Sequence, residues 1–501
     1  MTDRTGGRFA AVAYPVGLVV AGLGALQWIP LVTALVRGEW TIALVFLTGS
    51  STTILCGGAV ALAFARHRGR KLGWSEGMAV TALSWFFGML FCALPYYLSG
   101  GYLSYLDACF DVMSGLTTTG LTLIQDLDHV SDGVNMWRHL LTWLGGQGIV
   151  VLALAFLFKG TNGAYKMYVG EGKDERLTPN VVNTARSIWI ISLVYLGVGT
   201  AALWGAGIVA GLPPGRAFLH GLWIFMAAWS TGGFAPMSQN ILYYHSLVFE
   251  VTTAVFFLIG SFNFALHYAV LSGQRSEIRK NLETVTFSIT VVVLTLVASA
   301  GLMRDGVYPD AIALFRKGFY QLISGHTTTG FMTVYARQFY HEWGDLALFA
   351  LIVAMLLGGS ACSTAGGFKA LRVGIIVKSF ARDVRKLGAP ESMVTVVRIH
   401  HVRDTQLDDA SIRGAMLIVF AYIATFSAAT LAGMLYGIPF AQSAFESASV
   451  TGNVGLSIGV TAASMPDGLK IVYLVTMWLA RLEFLSILAL GATLLRNGRR
   501  R

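Results

Sequence analysis

The chain has 501 residues, of which 55% are hydrophobic and 12% charged, with a formal net charge of +10. Soluble domains average about 25% charged residues, and a chain this apolar has too little polar surface to cover a core in water, so the composition excludes a soluble protein. The basic excess suits either a nucleic-acid binder or the orientation signal of a membrane protein, and its distribution along the chain separates the two.

Apolar runs of spanning length fall at 9–36, 41–64, 78–100, 136–158, 187–211, 242–272, 287–302, 345–377, 415–437 and 468–495. About 20 apolar residues suffice for one crossing, so about ten spans are expected. The first run lacks a small-residue cleavage site and is long enough to span, so it reads as a transmembrane helix and not as a cleavable leader. If the spans alternate, the basic segments 65–74, 166–179, 273–281, 378–390 and 496–501 share one side with Arg4 and Arg8. More than half of the 36 Lys and Arg residues lie there, which makes that side cytoplasmic and puts both termini inside. Asp126, Asp128 and Asp132 fall on the opposite side. The positive charge is therefore an orientation signal, and little is left to support nucleic-acid binding. Cys56, Cys92, Cys109 and Cys362 lie in apolar or small-residue stretches without Cys-x-x-Cys spacing, and read as small buried hydrophobes.

Four further apolar stretches, 103–121, 215–234, 310–331 and 438–457, are too short to cross. Each ends in a Thr- or Gly-rich turn and is followed by a long span. The repeating unit is span, re-entrant segment, span, four times over. Irregular backbone at membrane depth is tolerated only where it lines a cavity or is buried in protein, so four such loops imply one central cavity.

The turns align. "FDVMSGLTTTGLT" (110–122) lies over "YQLISGHTTTGFM" (320–332) without a gap, and "FESASVTGNVGLS" (445–457) fits the same frame. Ser114, Ser324 and Ser449 share a column, as do Gly120, Gly330 and Gly455. "MAAWSTGGFAP" (226–236) is looser, and either Gly233 or Gly232 completes the glycine column. A dehydrated cation needs a ring of oxygens in place of its water. A short helix ending at mid-membrane aims its negative end at the cavity, and the turn after it must point carbonyls at the axis, which favours glycine. The expected lining is Thr118, Thr119, Gly120, Thr231, Gly232, Gly233, Thr328, Thr329, Gly330, Asn453, Val454 and Gly455. The bland alternative, close packing of helices through small residues, explains one such turn better than four in register.

The run from Trp343 to Lys378 would extend about 54 Å as one helix, almost twice the hydrocarbon thickness. Its centre, "LLGGSACSTAGGFKAL" (356–371), should break the helix. Arg481, near the middle of the last span, is costly in a membrane and therefore a functional candidate. Glu483, two residues on, faces another side of the helix, so the bland alternative for Arg481 is an internal ion pair with Glu483 of a neighbour or with another acid. "GWSEG" (73–77) matches a serine-elbow string but follows no strand, and "GGQG" (145–148) lacks the context of a dinucleotide site. His326 reads as a residue hydrogen-bonded behind the third turn, and His400 and His401 as solvated. No paired acids, metal cluster or nucleophile constellation points to an enzyme.

On the four aligned turns, "WLGGQGIVVLALAF" (143–156) and "KDERLTPNVVNTARSIW" (173–189), the chain resembles the Trk/Ktr/HKT superfamily of potassium transporters across essentially its whole length. It looks most like the Trk-type membrane subunit, whose two extra N-terminal helices it also has. The resemblance implies an all-α polytopic protein with two N-terminal helices (1–72) and four helix–pore loop–helix repeats at 73–165, 166–280, 281–385 and 386–501. It implies potassium as the transported ion, a homodimer with one pore per protomer, and a cytosolic nucleotide-binding ring of RCK/KTN type. Any nucleotide would then bind the ring, with no organic cofactor in this chain. It also implies a gate built from Gly358, Gly359, Ser360, Ala361, Cys362, Ser363, Thr364, Ala365, Gly366 and Gly367, with Lys369 and Arg481 beside it. A carrier coupling potassium to protons or sodium is the alternative.

Overall fold

A computed structural model describes residues 3–68, 70, 72–157, 164–173, 180–388, 397–401 and 403–498. Residues 1–2, 69, 71, 158–163, 174–179, 389–396, 402 and 499–501, which include parts of the basic segments 65–74, 166–179, 378–390 and 496–501, lie outside the described residues. The fold is all-α apart from one antiparallel hairpin, Arg398–His401 with Arg403–Gln406. Helices dominate because no water is available at membrane depth to satisfy a backbone that is not internally paired.

Asp3–Leu26 continues through Gln27 into Trp28–Val36, and Trp40–Ala63 returns beside it. These two passes touch through small residues: a Cβ added at Gly57 would lie 2.5 Å from the Ala21 nitrogen. The pair is anchored at the end where the two passes turn, as Glu39 accepts hydrogen bonds from the Asp132 and Gly133 amides and Arg37 reaches the Asp132 carboxylate at 2.5 Å. Arg216 holds the other Asp132 oxygen at 2.6 Å.

Four units follow, each a long helix, a short helix and a broken helix. The long helices are Trp74–Leu98, Val181–Val209, Leu282–Arg304 and Asp409–Leu435. The short ones are Tyr105–Leu116, Pro214–Trp229, Ala311–His326 (with one π-helical stretch, Leu314–Phe319) and Phe440–Gly452.

The broken helices differ from the sequence expectation, which interrupts only the third. Asp132–Gln147 meets Ile149–Phe156 at 79°, Leu247–Gly260 meets Phe264–Leu271 at 99°, and Asp467–Arg481 meets the helix beginning at Leu485 at 106°. In the third unit Gly344–Leu357 and Ala370–Leu387 are separated by residues 358–369. The two halves of each of the three bent pairs pass as one apolar stretch when averaged over a window, so a hydropathy window cannot see the breaks. Their local causes are visible in the structure. Gly148 has φ +97°, and a Cβ there would lie 2.2 Å from a Glu171 carboxylate oxygen. Glu171 in turn accepts from the Val150 and Val151 amides, capping the second half-helix. Asn263 caps its half-helix through the Ala265 amide at 2.7 Å. Glu483 and Phe484 both adopt left-handed backbone, φ +48° and +66°.

Candidate functional site

Every short helix ends at the same backbone event. Thr118, Thr231, Thr328 and Asn453 are left-handed, with φ of +56°, +50°, +55° and +53°. Two residues later come Gly120, Gly233, Gly330 and Gly455, with φ of +88°, +62°, +81° and +95°. A left-handed threonine is disfavoured by roughly 1–2 kcal/mol, so three in register, with Asn453 in the fourth place, are held by their surroundings. The match assigns the glycine column of the second turn to Gly233, not Gly232. In that register Trp223 joins Phe110, Tyr320 and Phe445 in the aromatic column that opens the frame.

The four turns meet. A Cβ added at Gly120 would lie 2.5 Å from the Gly232 carbonyl oxygen, and one at Gly233 would lie 2.2 Å from that of Thr329. At Gly330 the Val454 oxygen would be 2.0 Å away, and at Gly455 the Thr119 oxygen would be 2.0 Å away. Each glycine thus faces the carbonyl preceding the glycine of the next turn, and the sequence of contacts closes: first to second to third to fourth to first. No other residue fits, because any side chain would enter a neighbour's carbonyl.

Three side chains that sequence reasoning missed brace the backbone rising from this ring. Asp111 accepts from the Leu123 amide at 2.6 Å, the Thr122 hydroxyl at 2.6 Å and the Tyr102 hydroxyl at 2.9 Å. Glu446 accepts from the Ser457 hydroxyl at 2.7 Å and from the Ile458 and Thr461 amides. Gln321 donates to Thr333 Oγ1 at 3.0 Å. All three follow the aromatic of the aligned frame, so the signal was present in that column.

Against the ring lies the 358–369 loop. Its Gly366 amide donates to Thr328 Oγ1 at 2.8 Å, and its Thr364 Oγ1 is 3.1 Å from Thr231 Oγ1. The Thr364 hydroxyl also lies within reach of the Trp229 and Gly260 carbonyls. A Cβ at Gly366 would lie 2.1 Å from the Gly452 oxygen. Ser360 donates its amide to the Ser261 carbonyl at 3.0 Å, and the Ala361 amide donates to Glu283 Oε1 at 2.6 Å. Cys362, at φ +51°, and Ala365 are buried; Ser363 Oγ donates to the Ser360 carbonyl at 2.7 Å. Gly358 and Gly367, both at φ +73°, start and end the loop, with Gly359 packed on Ala365.

Arg481 joins this loop to the first unit. Its guanidinium donates to the Thr364 carbonyl at 2.7 Å and to the Gly145 carbonyl at 2.7 Å. Gly145 sits in the last turn of a half-helix, where a cation is favoured; its carbonyl also accepts from the Gly148 amide at 3.2 Å. Lys173 likewise donates to the Gln147 carbonyl at 2.9 Å, and Lys369 donates to the Ala365 carbonyl within the loop. The ion pair considered for Arg481 does not involve Glu483, which is held by Arg372. Lys173, Glu171 and Gly145 were not among the expected site residues; the Gly-Gly-Gln-Gly run was the available signal. His326 lies behind the third turn, its Nε2 2.8 Å from Thr290 Oγ1. His400 is not simply solvated, since it contacts Glu277 at 2.8 Å and Asp404 at 2.7 Å.

Four re-entrant turns closing on one another, inside a bundle whose helices have the length and apolarity to cross a bilayer, define a polytopic membrane protein of the pore-loop class. The chain belongs to the TrkH family: the family's model, described as "Cation transport protein", matches residues 43–499. It is 29% identical over 484 residues to an uncharacterised cation transporter of Methanocaldococcus jannaschii, covering 96% of this chain and 95% of that protein. It is 29% identical over 473 residues to the Trk system potassium uptake protein TrkG of Escherichia coli, covering 92% and 93% of the two chains. Among solved structures, the potassium transporter TrkH from Vibrio parahaemolyticus superposes with a TM-score of 0.82 at 27% identity, covering 96% of this chain and 98% of that one.

Proposed function

We propose that this chain carries potassium into the cell across the cytoplasmic membrane, through the ring at Gly120, Gly233, Gly330 and Gly455. The observation that carries the reading is the closed cycle of glycine-to-carbonyl approaches, which leaves the carbonyls of four turns grouped about one axis, as replacement of a hydration shell requires. Relatives named as potassium uptake proteins support potassium as the ion. In this reading the four units divide at 73–165, 166–280, 281–385 and 386–501, and the 358–367 loop with Lys369 and Arg481 closes the path beneath the ring.

The protein works as a homodimer with a cytosolic nucleotide-binding ring docked on 159–186, 273–286 and 378–414. A route from such a ring to the gate is supported by Glu283. One of its oxygens accepts from the loop's Ala361 amide, and the other lies 3.8 Å from His401 of the inner hairpin. Broken helices at membrane depth also occur in coupled carriers, so the assay must separate the two modes. Purified protein in liposomes should pass potassium down its own gradient at a rate indifferent to imposed proton or sodium gradients. Flux that requires either gradient would favour the carrier, and absence of cation flux with and without the ring would remove the reading.

A further inference from the structure

The hairpin Arg398–Gln406 packs through Ile399, with Leu407 just after its second strand, onto Leu282, Ile375, Ile412 and Ala415, where the third and fourth units meet the inner membrane surface. Beside it is a cavity of about 250 Å³, lined by Lys280, Lys378, Arg398 and His400 together with Leu282 and Val285. Asp404 is the carboxylate in its wall, and that group is already engaged by His400 at 2.7 Å. Among the described residues, none of Lys280, Lys378 and Arg398 has a carboxylate partner. Three cations thus share one concave site whose one carboxylate, Asp404, is paired with His400.

Position says which anion. Leu282 and Val285 belong to the first turns of the span Leu282–Arg304, so the cavity opens at the inner edge of the hydrocarbon layer. The helix that supplies Lys378 carries Val377, Phe380, Val384 and Leu387 on one stripe, exposed by 60%, 71%, 50% and 89%. An apolar stripe flanked by basic side chains is the surface that binds a leaflet rich in anionic lipid. We propose that this cavity holds the phosphate of an anionic phospholipid of the inner leaflet. The proposal does not rest on the ion the protein carries, and since the cavity lies within 273–286 and 378–414, a ring docked on those segments would share this face with the lipid.

The test uses the full chain in micelles doped with phosphatidylglycerol or phosphatidylcholine, read by native mass spectrometry. The unmodified protein should retain phosphatidylglycerol preferentially. Lys280→Gln, Lys378→Gln and Arg398→Gln should each weaken that retention about fivefold, and the triple variant about a hundredfold, from the usual contribution of one cation near an anionic leaflet. Lys280→Arg with Lys378→Arg keeps the charge and should keep the lipid, separating charge from fold. Arg66→Gln with Arg68→Gln removes two cations from another inner loop and should change nothing. Equal weakening by that control would assign the effect to bulk surface charge and overturn the site. Displacement of the lipid by millimolar inorganic phosphate would overturn the lipid as the source of the anion. Loss of a dimer in the triple variant with unchanged lipid retention would assign the face to a second copy instead.

Discussion

At Gly455 the backbone has φ +95° and the nearest neighbour of a built Cβ is the Thr119 oxygen at 2.0 Å. Gly455→Ser must therefore push the first turn aside, changing the spacing of the carbonyls that would coordinate an ion. The expected result is a lower potassium-to-sodium flux ratio with potassium flux retained, measured in liposomes. An unchanged ratio in folded protein would remove Gly455 from the ring's function. Arg481 makes a second prediction at this scale. Its two-ended contact joins the Thr364 and Gly145 carbonyls, and hydrogen bonds to a charged group are worth about 1.5–3 kcal/mol. Arg481→Ala should loosen the loop, remove a positive charge from the path, and raise basal potassium flux per folded molecule about tenfold or more. Arg481→Lys keeps the charge but lacks the fork that reaches both carbonyls, and should fall between. Lower flux in Arg481→Ala would make the arginine a structural tie only.

The loop at 358–369 is an element whose behaviour the sequence describes in part. Its glycines and small polar residues foretell a break, because the span is too long without one. Its bonding to Thr328 and Thr231 is not foretold, because no pattern along the chain reports which hydroxyl meets which amide across separate units. For the same reason the three other broken helices were invisible: Gly148 is a signal only once Glu171 is known to lie against it. The bonding changes an expectation. A loop lying free below the ring could be altered without touching selectivity, whereas this loop is bonded to the ring's own turns. Gly366→Ala, whose methyl would meet the Gly452 oxygen at 2.1 Å, should raise basal flux and also broaden selectivity. Thr328→Val removes the acceptor for the Gly366 amide and should act in the same direction. Thr118→Val is the contrast. Thr118 has the same backbone but makes no side-chain hydrogen bond among the described residues, so it should leave basal flux near the unmodified rate. Equal basal flux in the Thr328 and Thr118 variants would show that the bond does not hold the loop.

Across the whole molecule, fold class and family were legible because composition, span length and a turn used four times are properties of the chain itself. The inner hairpin was not. Its strands carry ordinary polar residues, and only Ile399 and Leu407 mark it, by packing on span ends far away in sequence. That hairpin is clamped to the Glu277–Lys280 turn through His400. The Asp404 carboxylate first, then Glu277, stabilises the protonated imidazole and raises its pKa above the ordinary value of about 6.5, against a small opposing effect of burial. A group whose pKa is raised by folding adds stability that is fully present below its unfolded pKa and is lost as pH rises through the folded one. The contribution is small, because the site is partly solvated. The melting temperature of the unmodified protein should therefore exceed that of His400→Gln at pH 5.5, and the gap should shrink toward pH 9. A gap that widens with pH would overturn this sign.

The ring's contacts run in one direction around a cycle of four different turns, and this gives the protein a combinatorial property. Four glycines make four neighbouring pairs and two diagonal pairs. Neighbours such as Gly330 and Gly455 share a carbonyl wall, while Gly120 and Gly330 do not touch. Substitutions that share a partner couple, and those that do not add. Alanine double-variant cycles in stability should then separate into two classes: neighbouring pairs with interaction energies of about 0.5 kcal/mol or more, and diagonal pairs near zero. Because the turns sit on a single chain, such a cycle can be measured one quadrant at a time, which a pore assembled from four identical subunits does not allow.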